Sequence, residues 1–312
     1  MYFGVDVGGT AVKWAVIADD YQVLKSGVFA TPYKGAECLA DRIASVYGEA
    51  AQICQAVGIS IPGTLRDDPD GIVEGGGVLR FLDGIPFGKL VRDRCGIPCF
   101  VENDGKSCAL GEYTAGALKG CRTGVVLVLG TGIGGGIVID GKVYKGAHSF
   151  AGEFSFILEN AGKQLGVGTM MGETCGWSSG LKAELIRRKG LPENTQMDGY
   201  QIFDLVNNGD PDAVGALETY CSHLAVQIHN LQTILDPDIF AIGGGISNQP
   251  VLMETLQKAV DVIYEGTAFT QVPIPKIVRC QYGNMANILG AVRRCRQRMA
   301  ADASRLDSES TL

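Results

Sequence analysis

Apolar residues in this chain fall into short continuous runs and longer stripes of helical period, and the short runs come in two matching series. Residues 125–129 read Val-Val-Leu-Val-Leu, a β-branched run of strand length. Gly130-Thr131-Gly132 and further glycines at 134–136 follow, then Ile137-Val138-Ile139, an Asp140-Gly141 pair and Lys142-Val143-Tyr144. An Asp-Gly pair between two such runs is a hairpin turn, so the stretch predicts strand, glycine loop, strand, turn, strand. The amino terminus has the same plan: a run at 2–7, then Gly8-Gly9-Thr10, a run at 14–17, Asp19-Asp20 and a run at 22–24. Two such units predict a duplicated α/β fold.

Residues 37–51 read as an amphipathic helix and 57–61 as a buried strand stopped by Pro62-Gly63. The turn-rich stretch 67–87, with Gly75-Gly76-Gly77, is long for a connection in a compact domain and reads as a binding loop. A strand at 98–101 leads through Asn103-Asp104-Gly105-Lys106 into a helix over 107–117. In 212–235, Leu217, Cys221, Leu224, Ile228, Leu231 and Leu235 recur at steps of four and three, the buried stripe of a helix. His223 and His229 lie about 120° apart around it and do not form a ligand pair, and His148 sits alone in a loop. A strand at 239–242, a helix at 251–263, a strand at 277–279 and a last helix at 287–298 complete the pattern, with a polar, frayed tail at 300–312.

A chain of 312 residues, 46% of them hydrophobic, can bury the cores of two domains. Its net charge of -7 offers no basic footprint for nucleic acid. The ten cysteines are scattered through apolar segments with no secretory signal, which points to reduced thiols and a cytoplasmic protein. The longest apolar run, 125–139, is too short and too broken by glycine to span a bilayer.

Candidate chemistry sits at the glycine loops, where successive N–H groups can converge on a phosphate. Gly130-x-Gly132-x-x-Gly135 also spells a dinucleotide fingerprint, but that motif requires a helix after the glycines and a strand follows here. No Gly-x4-Gly-Lys-Ser/Thr motif is present. Asp6, ending the first strand beside Gly8, Gly9 and Thr10, can hold Mg²⁺ through water or can simply cap a turn. Lys13 is either a phosphate contact or an exposed strand residue. Asp104 stands at a strand's carboxyl end, where open α/β sheets bind ligands, and is also a candidate helix cap.

The run VENDGKSCALGE, the loop GTGIGGG, the segment AGEF and the later IGGGIS, in this order, resemble the ROK family of bacterial sugar kinases and their repressor relatives over about residues 1–295. The resemblance implies an actin-like, ribonuclease H-like fold of two domains that holds ATP and sugar in the cleft between them. We place the small domain at 1–119 and the large one at 120–286, with helix 287–298 crossing back to the first. It further implies Asp104 as general base on the sugar's primary hydroxyl, with Asn103 and Glu153 binding the sugar and Gly63, Gly76 and Gly77 bordering it. Asp6, Gly8, Gly9, Thr10, Lys13, Gly130, Thr131 and Gly132 would face the phosphates of ATP and its Mg²⁺, and Gly243, Gly244 and Gly245 would lie near the adenosine. Dimers are usual in the family.

Two departures matter. Most of the family has a histidine three residues after the position of Glu153 and then a Cys-x-Cys-Gly-x-x-Gly-Cys cluster completing a structural zinc site. Here Phe156 replaces that histidine and Glu173-Thr174-Cys175-Gly176-Trp177 keeps one cysteine, too few donors for tetrahedral zinc. The β-glucoside kinase and glucokinase branch shows the same losses. The expectation is therefore an ATP- and Mg²⁺-dependent kinase of hexoses or β-glucosides without structural zinc. A sugar-sensing regulator of the same family is disfavoured, because its helix-turn-helix domain has no counterpart here.

Overall fold

The computed structural model describes residues 1–50, 53–65, 68–159, 168–265 and 272–309. In chain order the strands and helices are β1 (Tyr2–Val7), β2 (Ala11–Ile17), β3 (Val23–Ala30), α1 (Ala36–Ala50), β4 (Val57–Ile61), β5 (Thr64–Leu65), β6 (Val73–Glu74), α2 (Phe87–Cys95), β7 (Cys99–Asn103) and α3 (Asp104–Ala115). Then come β8 (Thr123–Leu129), β9 (Ile133–Ile139), β10 (Lys142–Val143), α4 (Met171–Thr174), α5 (Ala183–Arg188), α6 (Gly199–Asn207), α7 (Pro211–Leu235), β11 (Ile239–Gly243), α8 (Pro250–Tyr264), β12 (Ile277–Arg279) and α9 (Asn284–Glu309). The chain forms two compact units, one of residues 1–119, 141–151 and 282–312, the other of 120–140 and 152–281.

The first unit is a mixed sheet of order β3-β2-β1-β4-β7. β1 pairs antiparallel with β2 and parallel with β4, and β4 runs parallel to β7. β1 and β4 are buried along their whole length, as strands covered on both faces must be, which is why they read as continuous apolar runs. One face packs a core with Leu39 and Ile43 of α1 and Phe87 and Val91 of α2. On the other, Ile288, Leu289 and Val292 of α9 meet Tyr2, Ala15 and Ile17. α9 also lies along α3, closely enough that a Cβ on Gly111 would fall 1.9 Å from the Ala286 carbonyl oxygen and one on Gly290 1.7 Å from that of Ser107. Glu102 on β7, 1% exposed, pairs with Lys145 at 2.9 Å and Arg294 at 3.1 Å, fixing the 141–151 excursion and α9 to the sheet.

The second unit repeats the pattern. β8 pairs antiparallel with β9 and parallel with β11, which pairs parallel with β12. α7 starts at an Asp210 cap that accepts from the Ala213 N–H at 3.0 Å, with Pro211 in its first turn, and ends at Asp236 in the left-handed conformation. Its stripe of Leu217, Cys221, Leu224, Ile228 and Leu231 is buried in the core, and Leu235 is half-buried.

Several elements differ from the sequence reading. Gly134, Gly135 and Gly136 belong to β9 and are not part of a loop. The 67–87 stretch contains the β6 strand, which pairs with β5, and a 3-10 turn over Gly77–Leu82; residue 67 lies outside the described residues. α3 begins at Asp104, and α9 continues to Glu309 through most of the tail read as frayed, with 310–312 outside the described residues.

Candidate active site

In the first unit the candidate residues gather at the carboxyl ends of β1, β4 and β7. Asn103, not Asp104, caps α3: its Oδ1 accepts from the Lys106 N–H at 3.0 Å. Its Nδ2 donates to the Gly63 carbonyl at 2.9 Å and to Asp104 Oδ1 at 3.0 Å. The Gly105 N–H also donates to Asp104 Oδ1, at 2.8 Å. A carboxylate already fixed through one oxygen is held in one orientation at low entropic cost, as a positioned base must be. Gly63 packs so close to the 3-10 turn that a Cβ on it would lie 3.1 Å from the Gly76 Cα, and the Gly76 N–H is held by Asp83 at 2.6 Å. Gly63, Gly76, Asn103 and Asp104 are thus neighbours, and Gly77 follows with a positive φ of 58°.

Asp6 is 9% exposed, and its Oδ1 accepts from Ser60 at 2.8 Å and Asn287 at 3.0 Å. Burial pushes its carboxyl above the usual value, and the bonds from Asn287 and Ser60 and the charge of Lys13 offset only part of that. Lys13 lies opposite Asp6 on β2 and is half-buried. In the adjoining loop, Thr31 Oγ1 donates to the Gly8 carbonyl at 2.6 Å and the Tyr33 hydroxyl donates to that of Gly9. Across a trans peptide the N–H points opposite to the carbonyl, so the N–H groups of Gly9 and Thr10 turn away from Thr31 and Tyr33 together.

In the second unit a cavity of about 470 Å³ is lined by Gly130 and Thr131 after β8, Gly245 after β11, and Trp177, Tyr200 and Phe203 among others. Gly132 follows on the same turn, which the Gly130 N–H closes on the Gly132 carbonyl at 3.0 Å. The Trp177 N–H donates to the Gly130 carbonyl at 3.0 Å, so the Thr131 N–H turns the other way. Gly243 ends β11, and Gly244, with a φ of 94°, packs against the Leu129 carbonyl oxygen where a Cβ would come within 2.2 Å. The sequence reading missed Trp177, Asp198, Tyr200, Phe203, Ile246 and Gln249 as lining residues. Asp198 was discoverable, since Asp198-x-x-Gln201 is a capping box at the start of α6.

Glu153 is half-buried in this second unit, on a segment that lies across β9. A Cβ on Gly135 would strike the Phe154 ring at 2.9 Å, and one on Gly152 would come 3.3 Å from the Gly136 Cα. Gly135 and Gly152 are thus where β9 and the Glu153 segment pack together.

The sequence model of the ROK family matches residues 2–298. The chain belongs to the ROK family. An N-acetyl-D-glucosamine kinase of Photobacterium profundum is 30% identical over 314 residues, covering 93% of this chain and 98% of that one. A β-glucoside kinase of Klebsiella pneumoniae is 29% identical over 288 residues, with 92% and 93% covered. The crystal structure of a ROK glucokinase from Streptomyces griseus in complex with glucose and AMPPNP superposes with a TM-score of 0.77 at 27% identity, covering 95% of this chain and 99% of that one. The fold is the actin-like one of ROK kinases, and the chain is an ATP-dependent sugar phosphotransferase.

Where most of the ROK family has its histidine, Phe156 is 50% exposed and lies outside the hydrophobic core. Cys175 is fully buried, and burial pushes its thiol up to about 12. Near it, Glu159 Oε1 accepts from Gln227 at 3.2 Å and Oε2 stands 3.5 Å from His223 Nδ1. His229 instead meets the Tyr264 hydroxyl at 3.0 Å, and His148 is exposed. Among the described residues no group of three or more His, Cys, Asp or Glu is placed to hold a metal.

Proposed function

We propose that this ROK protein transfers the γ-phosphoryl group of ATP to the primary (6-) hydroxyl of a hexose or β-glucoside, with Asp104 as general base. The observation that carries this is Asp104 at the carboxyl end of a parallel strand, its Oδ1 fixed by the Gly105 N–H and the Asn103 amide. In the reaction Asp104 takes the hydroxyl proton as the sugar oxygen bonds to the γ-phosphorus and the bond to the β-phosphate oxygen breaks. Asn103, Gly63, Gly76, Gly77 and Glu153 hold the sugar. The N–H groups of Gly9, Thr10 and Thr131 face phosphate oxygens in company with Gly8, Gly130, Gly132 and Lys13, and Gly243, Gly244 and Gly245 lie near the adenosine, Gly245 lining the 470 Å³ cavity.

Mg²⁺ suits this site in one manner only: Asp6 is a single hard-oxygen group with Oδ1 already hydrogen-bonded, so it fits an ion held mainly by phosphate oxygens and reached through water. Such an ion would supply charge neutralisation on the phosphates. Structural zinc is absent in this reading, because Phe156 stands in place of the family histidine and Cys175 is the one cysteine of its segment, too few donors for a tetrahedral site. We further infer a cytoplasmic protein that binds no nucleic acid, which the ten free cysteines and the net charge of -7 support, and a homodimer, on family resemblance alone. No helix is long and apolar enough to cross a membrane.

A coupled assay for ADP release across free hexoses, amino sugars and β-glucosides tests the proposal. Sugar-dependent ADP formation with product at the 6-position is expected, and none with any of them would end it.

A further inference from the structure

The phosphate turn and the sugar segment are joined through one hydroxyl. Ser155, two residues after Glu153, accepts from the Ile133 N–H at 2.8 Å and donates to the Ile133 carbonyl at 3.1 Å. Ile133 opens β9 immediately after Gly132, so a single side chain holds both polar groups of the residue where the phosphate turn ends. The hydroxyl is confined from two sides, since a Cβ on Gly132 or on Gly172 would fall 2.7 Å from Ser155 Oγ. Behind the same turn a Cβ on Gly176 would fall 2.3 Å from the Thr131 carbonyl oxygen, and the next residue, Trp177, both bonds Gly130 and lines the nucleotide cavity. The turn is thus gripped by two segments, one of which carries Glu153.

We infer that Ser155 is a positioning residue that couples sugar binding at Glu153 to nucleotide binding at Gly130, Thr131 and Gly132. This rests on the functional reading above. A residue needed only for packing would use its Cβ, whereas Ser155 spends a donor and an acceptor on the main chain of the neighbouring turn. A shift of the 152–156 segment on sugar binding therefore moves Ile133, and with it the phosphate turn. The coupling is reciprocal for binding: each ligand strengthens the other by the same factor.

The test compares the wild-type chain with Ser155→Ala by amide hydrogen exchange and by calorimetric titration with Mg²⁺-AMPPNP and the sugar found in the screen. In the wild type, nucleotide alone should slow exchange at 130–134 and also at 152–157, and sugar should tighten nucleotide binding. Ser155→Ala should bind each ligand alone within about threefold of wild type, protect 130–134 only, and lose the mutual enhancement. If Ser155→Ala does not fold, Ser155→Cys, with its weaker donor and acceptor, should show a partial loss of both effects. Protection confined to 130–134 in the wild type, or undiminished enhancement in either variant, overturns the coupling while leaving the kinase reading intact. Absence of nucleotide protection at 130–134 in the wild type overturns both.

Discussion

Replacing Asp104 by Asn tests the proposed base with little structural disturbance, because the capping role belongs to its neighbour. Asn103 supplies the cap to Lys106, so helix α3 keeps its amino-terminal bond in the variant. The amide oxygen of Asn can accept the bonds from the Gly105 N–H and the Asn103 amide that Asp104 Oδ1 accepts now, at 2.8 and 3.0 Å. What the substitution removes is the ability to take a proton. General-base loss costs about 10²- to 10⁴-fold in turnover, or about 2.7–5.4 kcal/mol of barrier at 1.36 kcal/mol per decade. The assay is steady-state kcat and KM by coupled ADP release, with calorimetric nucleotide binding and thermal unfolding as controls. We expect kcat to fall within that range while nucleotide binding and unfolding temperature stay near wild type. Turnover within a few-fold of wild type would show that Asp104 only orders the start of α3 and would refute the assignment.

Metal analysis of the purified protein should find no structural zinc; about one zinc per chain, released only on unfolding, contradicts the reading of Phe156 and Cys175. Glu159 and His223 should make a pH-dependent contribution to stability. Burial pushes the Glu159 carboxyl up, but the bonds and charge of His223 with the bonds of Thr174 and Gln227 outweigh it, so its value is lowered from 4.5, while the bond to Glu159 raises His223 from 6.5. The Glu159 part is present above its unfolded value and fades as pH falls through the lowered one; the His223 part is present below its unfolded value and fades as pH rises through the raised one. The loss of unfolding temperature in His223→Gln should therefore be largest between pH 4.5 and 6.5 and shrink in alkali, and a loss independent of pH counts against the pair. On the proposed reading, the half-exposed Phe156 takes the place of a histidine near the sugar's anomeric carbon, where an aromatic ring would suit a second sugar ring. Cellobiose should then match or exceed glucose in kcat/KM, and a glucose preference of about 100-fold or more, about 2.7 kcal/mol, would leave an ordinary glucokinase instead.

The strands and the long helix were legible because burial writes itself into sequence at short range. Residues 2–7 and 57–61 are apolar without interruption since both faces of β1 and β4 are covered, and the stripe in α7 keeps its period through Leu231. Asp104 and Asn103 were recognisable as a pair at a strand's end, but which of them caps the helix depends on the placement of Gly63, forty residues earlier, which the local pattern does not contain. The aromatic lining of the cavity beside Gly130 and Thr131 was invisible for a similar reason. Trp177, Tyr200 and Phe203 converge from separate segments, and each alone reads as ordinary apolar content. The helical tail escaped because the eleven residues 299–309 carry no apolar stripe, while helix formers among them such as Ala, Arg and Glu extend α9 beyond its buried part.

The glycine run after β8 shows most clearly where local reading fails. Glycine means either that the backbone must turn or that something must come close, and sequence does not separate the two. At Gly130 and Gly132 the backbone turns, and the turn is closed by their own hydrogen bond. At Gly135, inside β9, a Cβ would meet the Val126 carbonyl oxygen at 2.0 Å and the Phe154 ring at 2.9 Å, and a Cβ on Gly152 would meet the Gly136 Cα at 3.3 Å. The two uses are adjacent because the segment carrying Glu153 packs on β9, the strand that leaves the turn. That three-residue turn is bonded from two sides, by the Trp177 N–H on the Gly130 carbonyl and by Ser155 through Ile133. The glycine run is therefore a short turn followed by a strand on which the Glu153 segment packs, which puts the proposed phosphate and sugar residues of this unit next to each other.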